Sequence, residues 1–166
     1  MLAAMAVLVT TSAKVGRTAL NKLLWFADVA HFLQHGRTIS GTVYVKCDYG
    51  PAPCDIDAVR HELIARGIVS EKIIKATPYR SFVYKANDAA IDANALEAVF
   101  AETELRTMRA VIGALRKQTV GYLSEMSHQF EPWISSSYGE EMDLSRACHD
   151  DALREWLAKR KAISLC

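Results

Sequence analysis

Ser124 and His128 lie four residues apart, a spacing that brings two side chains to one face of a helix. A serine beside an imidazole could support nucleophilic catalysis, because histidine titrates near neutral pH. No glycine-rich nucleophile elbow accompanies the pair, so the sequence offers no evident oxyanion site. We therefore favour a structural contact for His128, either within its helix or with the region of Asp28, and rank a hydrolase third among the functions considered.

Asp28 is the only acid in a strongly apolar segment at residues 20–34. A carboxylate in such a segment must face water or accept hydrogen bonds. The favoured interpretation is that Asp28 accepts hydrogen bonds from the corner at residues 49–53 and holds that corner against the helix. Direct contact with a partner is the alternative, and catalysis ranks below both because no nucleophile and base lie nearby in the sequence.

A sharper hypothesis joins Asp28 to Tyr49, His128 and Trp133 in one polar and aromatic pocket or groove. Aromatic and polar side chains converge in binding sites, but they also do so in ordinary protein cores. The sequence leaves both interpretations open.

A metal site is suggested only by His31 and His35, which are one helical turn apart. The glutamate of a metalloprotease helix is missing from this pair, and no third ligand lies nearby. The glycines never cluster as they do in a phosphate-binding loop. We therefore expect no metal and no other cofactor. The four cysteines form no CxxC pair and are interpreted as free thiols of a reducing cytoplasm: Cys47, Cys54, Cys148 and Cys166.

The scaffold of these residues is predicted from hydrophobic periodicity and from helix-ending residues. The first predicted elements are a helix capped by Thr18 and ended by Gly36, a turn at Gly41, a strand at 42–47 and an extended corner at 50–53. A helix at 55–67 follows, and then a hairpin of 68–75 and 80–85 joined by 76–79. The last elements are one long helix over 94–117, a helix capped by Thr119 and ended by Pro132, a loop at 135–139 and a helix opened by Asp150.

The last helix carries an apolar stripe of Leu153, Trp156 and Leu157. Such a stripe usually covers the core of its own domain, which is the favoured interpretation. The alternative is a docking surface for a partner, with Trp156 as its hot spot.

A chain of 166 residues, of which 51% are hydrophobic, is long enough to bury a core. We expect a single domain over residues 1–166 with an α+β, mainly helical fold. A central buried helix, a short antiparallel hairpin element and later helices packed around them make up that fold. The apolar run at 1–13 is too short to span a bilayer and has no positive charge before it, so we expect no membrane segment.

The charge of the chain is balanced, with 20 Lys and Arg against 19 Asp and Glu. This balance provides no general attraction to nucleic acid, which is therefore not an expected partner. Basic residues in the predicted hairpin and in the helix before it nonetheless resemble a basic wing beside a recognition helix. A winged-helix-like DNA-binding regulator is thus the second-ranked function, carried by Arg60, Arg66, Lys72, Lys75, Arg80 and Lys85.

Two stretches, residues 21–53 and 122–133, together resemble the Panacea domain of SocA-like antitoxins. Trp25 stands where that family usually has Tyr or Phe, and Ala52 stands where it often has Val. The matching residues are the run 22–28, Gly36, Arg37, Gly41, Tyr44, Gly50, Pro51, Pro53, the run 123–128 and Trp133.

The resemblance implies a cytoplasmic antitoxin of a bacterium or phage, a protein without enzymatic activity that neutralises a cognate protein toxin by binding it. The SocA-like branch further implies a proteolytic adaptor that delivers the toxin to a ClpXP-type protease. The residues expected to form the partner-binding site or pocket are Asp28, Tyr49, Gly50, Pro51, Pro53, His128, Trp133 and Trp156.

Overall fold

A computed structural model of the chain describes residues 1–75 and 80–164. The strands of this part are β1 (Val15–Gly16), β2 (Tyr44–Cys47), β3 (Gly50–Pro53), β4 (Val69–Lys75) and β5 (Arg80–Ala86). Its α-helices are α1 (Leu2–Ser12), α2 (Arg17–His35), α3 (Ile56–Ala65), α4 (Ala93–Ala98), α5 (Glu102–Leu115), α6 (Val120–Ser127), α7 (Glu131–Ile134) and α8 (Asp151–Lys159).

Helix α2 is the centre of the fold, as predicted. Every residue from 22 to 31 is buried, and the helix packs against α1, α5, α6 and the strand β3. It ends at Gly36, whose φ of 70° is the left-handed conformation that closes many helices. The predicted cap at Thr18 is wrong, because β1 leads directly into the helix and Gly16 is its N-cap.

Two antiparallel sheets lie against this helix. The larger has the strand order β1-β5-β4 and contains the predicted hairpin, whose connecting residues 76–79 lie outside the described part. The smaller pairs β2 with β3, so that Tyr44 lies opposite Pro53 and Cys47 opposite Gly50. The predicted extended corner is therefore the second strand of a tight hairpin, which we call the β2–β3 hairpin. The mainly helical α+β class is confirmed.

The predicted long helix over 94–117 is wrong, because the structure divides it into α4 and α5. Ala101 is extended between them, and its N–H donates to Glu104 Oε2 at 2.9 Å. This bond satisfies a backbone donor at the start of α5, so the chain can turn without a glycine or proline. The break places Phe100 in the core.

Helix α6 begins at the predicted cap, where Thr119 accepts a hydrogen bond from the Tyr122 N–H. It ends before Pro132, contrary to the prediction. Pro132 instead lies in the first turn of α7, where a missing N–H costs no helical hydrogen bond.

Helix α8 opens at Asp150, as predicted, with the carboxylate accepting from the N–H groups of Leu153 and Glu131. Its apolar stripe is buried within the chain, and Trp156 stacks on Phe26 of α2 with 4.7 Å between ring centroids. The structure thus places Trp156 in the core. A role of Trp156 in partner binding stays a prediction.

Buried apolar side chains from Leu2 to Ile163 form one contiguous core. None of the helices in the described part of the chain has both the length and the apolar character needed to cross a membrane.

Candidate functional site

Asp28 is completely buried and binds the loop that follows α2. Its carboxylate accepts from the N–H groups of Ile39 at 2.7 Å and Ser40 at 2.9 Å, from the Ser40 hydroxyl, and from Tyr44 Oη at 2.7 Å. Gly36 and Gly41, both at positive φ, lie on either side of the segment that brings Ile39 and Ser40 back to Asp28. Asp28 is therefore a hydrogen-bonded structural residue, but its donors lie in residues 39–44 and not in the corner that the sequence suggested.

The electrostatics of this cluster favour a fixed donor and acceptor arrangement. Burial raises the pKa of Asp28, and the hydrogen bonds from Ser40, Tyr44 and Ile39 oppose that rise. The pKa of Tyr44 is raised well above 10.0, first by burial and then by the Asp28 charge. Tyr44 consequently keeps its proton, and its hydroxyl donates a hydrogen bond to Asp28.

Lys22 meets the β2–β3 hairpin where β3 crosses α2. The lysine is 1% exposed, and its Nζ donates to the Pro51 carbonyl at 3.1 Å. Gly50 lies directly over it at a φ of 97°, and a Cβ added there would come within 2.5 Å of Ser127 Oγ and closer still to Lys22 Nζ. The crossing is therefore packed so closely that only glycine fits.

The ammonium group of Lys22 is buried without a countercharge. Among the residues that the structure describes, no carboxylate lies within salt-bridge distance of its Nζ. Burial lowers the pKa of Lys22 to about 7, and nearby Cys47 opposes this only in part. The sequence alone predicts no role for Lys22, although it is a lysine inside an otherwise apolar helix.

We predict that Lys22→Met changes how stability depends on pH. The unfolded chain keeps the lysine proton up to about 10.5, whereas the folded chain loses it near 7. The wild-type free energy of unfolding should therefore rise with pH across this window, by up to about 1.4 kcal/mol per pH unit relative to the variant. Urea denaturation across the window measures both slopes.

The exposed Lys117→Met variant is the control, because it removes a lysine charge without touching the crossing. If the free energy of unfolding has the same pH dependence in Lys22→Met and in the wild type, the lowered pKa of Lys22 is contradicted.

His128 and Trp133 are stacked beside the hairpin, with ring centroids 4.1 Å apart and planes inclined by 14°. Lys46 covers Trp133 with its Nζ 4.5 Å from the ring centroid, and donates to the carbonyls of Trp133 and Ser136 at 2.9 Å each. The pKa of His128 is lowered, first by burial and then by the charges of Lys22 and Lys46. At neutral pH, the lowered pKa favours the neutral form of the stacked imidazole.

The catalytic pair suggested by the sequence is not assembled. Ser124 Oγ donates to the Tyr49 carbonyl at 2.8 Å, which attaches α6 to the turn of the hairpin. Ser127, the other serine near His128, donates to the Ser124 carbonyl at 2.7 Å. These hydroxyls therefore hold backbone in place.

The predicted pocket of four residues is formed only in part. His128 and Trp133 are stacked on each other, and the carbonyl of Tyr49 is bonded to Ser124 of α6, the helix that ends just before His128. Asp28 contacts residues 39–44 instead. Gly50, Pro51 and Pro53, which we also predicted, form the strand that crosses α2.

A cavity of about 420 Å³ lies beside the hairpin, between α2, α3 and β2–β3. Its lining includes Arg17, Lys22 and Arg60, of which only Arg60 had been considered, as part of a basic wing. Arg60 is 5% exposed and bonded to Asp57, so it does not contribute to a DNA-facing surface. The side chains of Lys75 and Arg80, also assigned to that wing, lie outside the description.

His31 and His35 do adjoin, with ring centroids 4.5 Å apart. The Nδ1 of buried His31 lies 2.7 Å from the Arg37 carbonyl. Within residues 1–75 and 80–164, no group of three or more His, Cys, Asp or Glu side chains is arranged to hold a metal ion.

Exposed aromatic side chains lie at the turn of the β2–β3 hairpin. Tyr49, in the turn, is 68% exposed, and Tyr138, beside Asp48 of the turn, is 66% exposed; we call these two residues the hairpin surface. Tyr138 lies beside Asp48, whose hydrogen bond and charge raise the pKa of the tyrosine. The sequence analysis identified Tyr49 but not Tyr138, because the neighbour of Tyr138 at the hairpin, Asp48, comes from a distant segment of the chain.

Comparison with curated proteins finds no match, and neither does comparison with solved structures. A family model described as "Antitoxin SocA-like, Panacea domain" matches residues 20–134. The match includes α2, the β2–β3 hairpin, and the α6 and α7 residues that hold it. Since it covers more than half of the chain, the protein belongs to the SocA-like antitoxin family with a Panacea domain.

Proposed function

We propose that this protein neutralises a cognate protein toxin by binding it directly in the cytoplasm, and that the hairpin surface contacts the toxin. The observation that carries the proposal is the pair of exposed tyrosines, Tyr49 and Tyr138, in a member of an antitoxin family. Tyrosine is enriched at protein interfaces because its ring provides a large contact area and its hydroxyl a hydrogen bond.

The hairpin surface has rigid support, which favours binding because little flexibility is lost on contact. Lys22 bonds to β3 from below, and Ser124 bonds to the Tyr49 carbonyl at the turn. The 139–142 segment pairs with the other edge of β2, through Gly139 N–H to the Lys46 carbonyl at 2.9 Å and Met142 N–H to the Tyr44 carbonyl at 2.8 Å. Three parts of the chain thus fix the position of the tyrosines.

Delivery of the bound toxin to a ClpXP-type protease is the second part of the proposal, and it rests on the family resemblance. An adaptor would shorten the half-life of the toxin in cells that contain the protease, whereas a masking antitoxin would leave it unchanged. Pulse-chase measurement of the toxin with and without the protease separates these mechanisms.

We predict that the double variant Tyr49→Ala, Tyr138→Ala loses toxin neutralisation while its melting temperature stays close to that of the wild type. Each tyrosine, if it is a hot spot, contributes about 2 kcal/mol, or roughly a 30-fold change in Kd. We expect the toxin to be encoded by an adjacent gene whose product is harmful alone and harmless when it is expressed with this chain. Growth assays and calorimetric titration with that toxin measure the effect.

Val99→Ala is the matched control, since Val99 is 52% exposed but lies between α4 and α5. It should neutralise the toxin fully. Full neutralisation by the double tyrosine variant would show that the toxin binds elsewhere. An equal loss with Val99→Ala would show that the loss is not specific to the two tyrosines.

A further inference from the structure

The cavity beside the β2–β3 hairpin is lined by more basic than acidic groups. Arg17, Lys22 and Arg60 line it, together with one acidic side chain, Asp57. Asp57 is bonded to Arg60 and so offsets only one of the three basic groups. Cations gathered in a concave site attract and concentrate anions.

Two buried polar atoms of the lining have no hydrogen-bond partner in the described structure. They are Nη1 of Arg60, a side chain that is 5% exposed, and Oδ1 of Asn21. Buried polar groups are nearly always paired in folded proteins. The unpaired Nη1 of Arg60 therefore leaves hydrogen-bonding capacity for a water molecule or a ligand beside the cavity.

Arg17 and Arg60 act on each other across this cavity. Burial lowers the pKa of Arg60, and the charge of Arg17 lowers it further, while Tyr84 and Glu71 oppose both effects. Arg17 is exposed and held over the Phe82 ring, 4.6 Å from its centroid. Like charges repel each other, and an anion bound near both guanidinium groups would relieve the repulsion.

We propose that this cavity binds the carboxylate or phosphate group of a small organic molecule, with Arg17, Lys22 and Arg60 as its cationic ligands. Arg60 offers Nη1, and guanidinium groups match the geometry of both oxyanions. The walls formed by Val45, Ala52 and Ile56 are apolar and would contact the body of the molecule. The site shares Tyr49 with the hairpin surface proposed to contact the toxin, but none of its three cationic ligands belongs to that surface.

Anion binding should be coupled to proton uptake through Lys22. Cys47 of β2 is the group that raises its pKa, and His128 at the end of α6 is close enough for the lysine charge to act on it. A bound anion favours the charged ammonium group, so Lys22 should gain a proton on binding above neutral pH. A simple structural role for Lys22 would not produce this uptake.

The test is calorimetric titration of the full chain with sodium acetate and with sodium phosphate, using sodium chloride of equal ionic strength as the reference salt. We expect saturable binding at millimolar concentration and a rise in melting temperature that chloride does not produce. Arg17→Gln should weaken binding about tenfold, the effect of one lost charge-assisted hydrogen bond. Arg66→Gln, which removes an exposed arginine at the C-terminal end of the helix that contains Arg60, should bind like the wild type.

Acetate titrations in two buffers with different heats of ionisation measure the proton uptake, which should disappear in Lys22→Met. A preference for acetate identifies a carboxylate ligand, and a preference for phosphate identifies a phosphate ligand. Absence of saturable binding for both salts would overturn the proposal. An equal loss of affinity in Arg17→Gln and Arg66→Gln would also overturn it, because the attraction would then be nonspecific.

Discussion

Asp28→Ala should lower the free energy of unfolding by roughly 3 to 5 kcal/mol, a large part of the total for a chain of this size. The variant removes a buried acceptor of four hydrogen bonds and leaves the Ile39 N–H and the Tyr44 hydroxyl without a partner. Hydrogen bonds to a charged group are each worth about 1.5 to 3 kcal/mol, and they do not add fully. Urea denaturation and thermal unfolding measure the loss.

Asp28→Asn should have an intermediate effect, because it keeps the volume and one oxygen acceptor but lacks the charge. Asp88→Ala provides the control, as Asp88 is exposed and its carboxylate pairs with the exposed Lys85. If Asp28→Ala is as stable as Asp88→Ala, the structural role assigned to Asp28 is contradicted. Combining Asp28→Ala with Tyr44→Phe should cost less than the sum of the two, since both remove the same bond.

The sequence predicts the central helix well because its signals are local. Gly36 ends α2 as predicted, and the apolar positions of α2 from Leu20 to Ala30 are buried. The same argument predicts that a buried Asp28 must be hydrogen-bonded, which is confirmed. It does not predict which donors approach, because that depends on the path of residues 36–44, and two glycines at positive φ determine this path.

Lys22 shows where sequence reasoning is weakest. A lysine is almost always exposed, so its position in α2 indicates neither burial nor a contact with residues 50–53. The contact exists because β3 crosses the helix at a glycine, a fact of tertiary packing. The break between α4 and α5 is missed for a related reason. It depends on a bond between the side chain of Glu104 and the backbone of Ala101, and apolar periodicity does not detect such a bond.

Gly50→Ala should destabilise the protein by roughly 3 to 5 kcal/mol, from two costs acting together. The first is the φ of 97°, which L side chains rarely adopt. The second is the lack of space, since the added Cβ would be 2.5 Å from Ser127 Oγ and 2.8 Å from Lys22 Cε. Both neighbours are buried, so neither can move aside into solvent. Thermal unfolding and urea denaturation measure the sum.

Two further glycines separate these costs. Gly67 has a φ of 68° and nothing within 4 Å of an added Cβ, so Gly67→Ala should show the backbone strain alone, about 1 to 2 kcal/mol. Gly113 lies within α5 with open space around it, and Gly113→Ala should be neutral or stabilising by up to about 1 kcal/mol. If Gly50→Ala lowers the free energy of unfolding by no more than Gly67→Ala does, the proposed close packing of β3 on Lys22 is contradicted. Adding Ser127→Ala to Gly50→Ala should recover part of the loss, because it removes one of the atoms that the new Cβ meets.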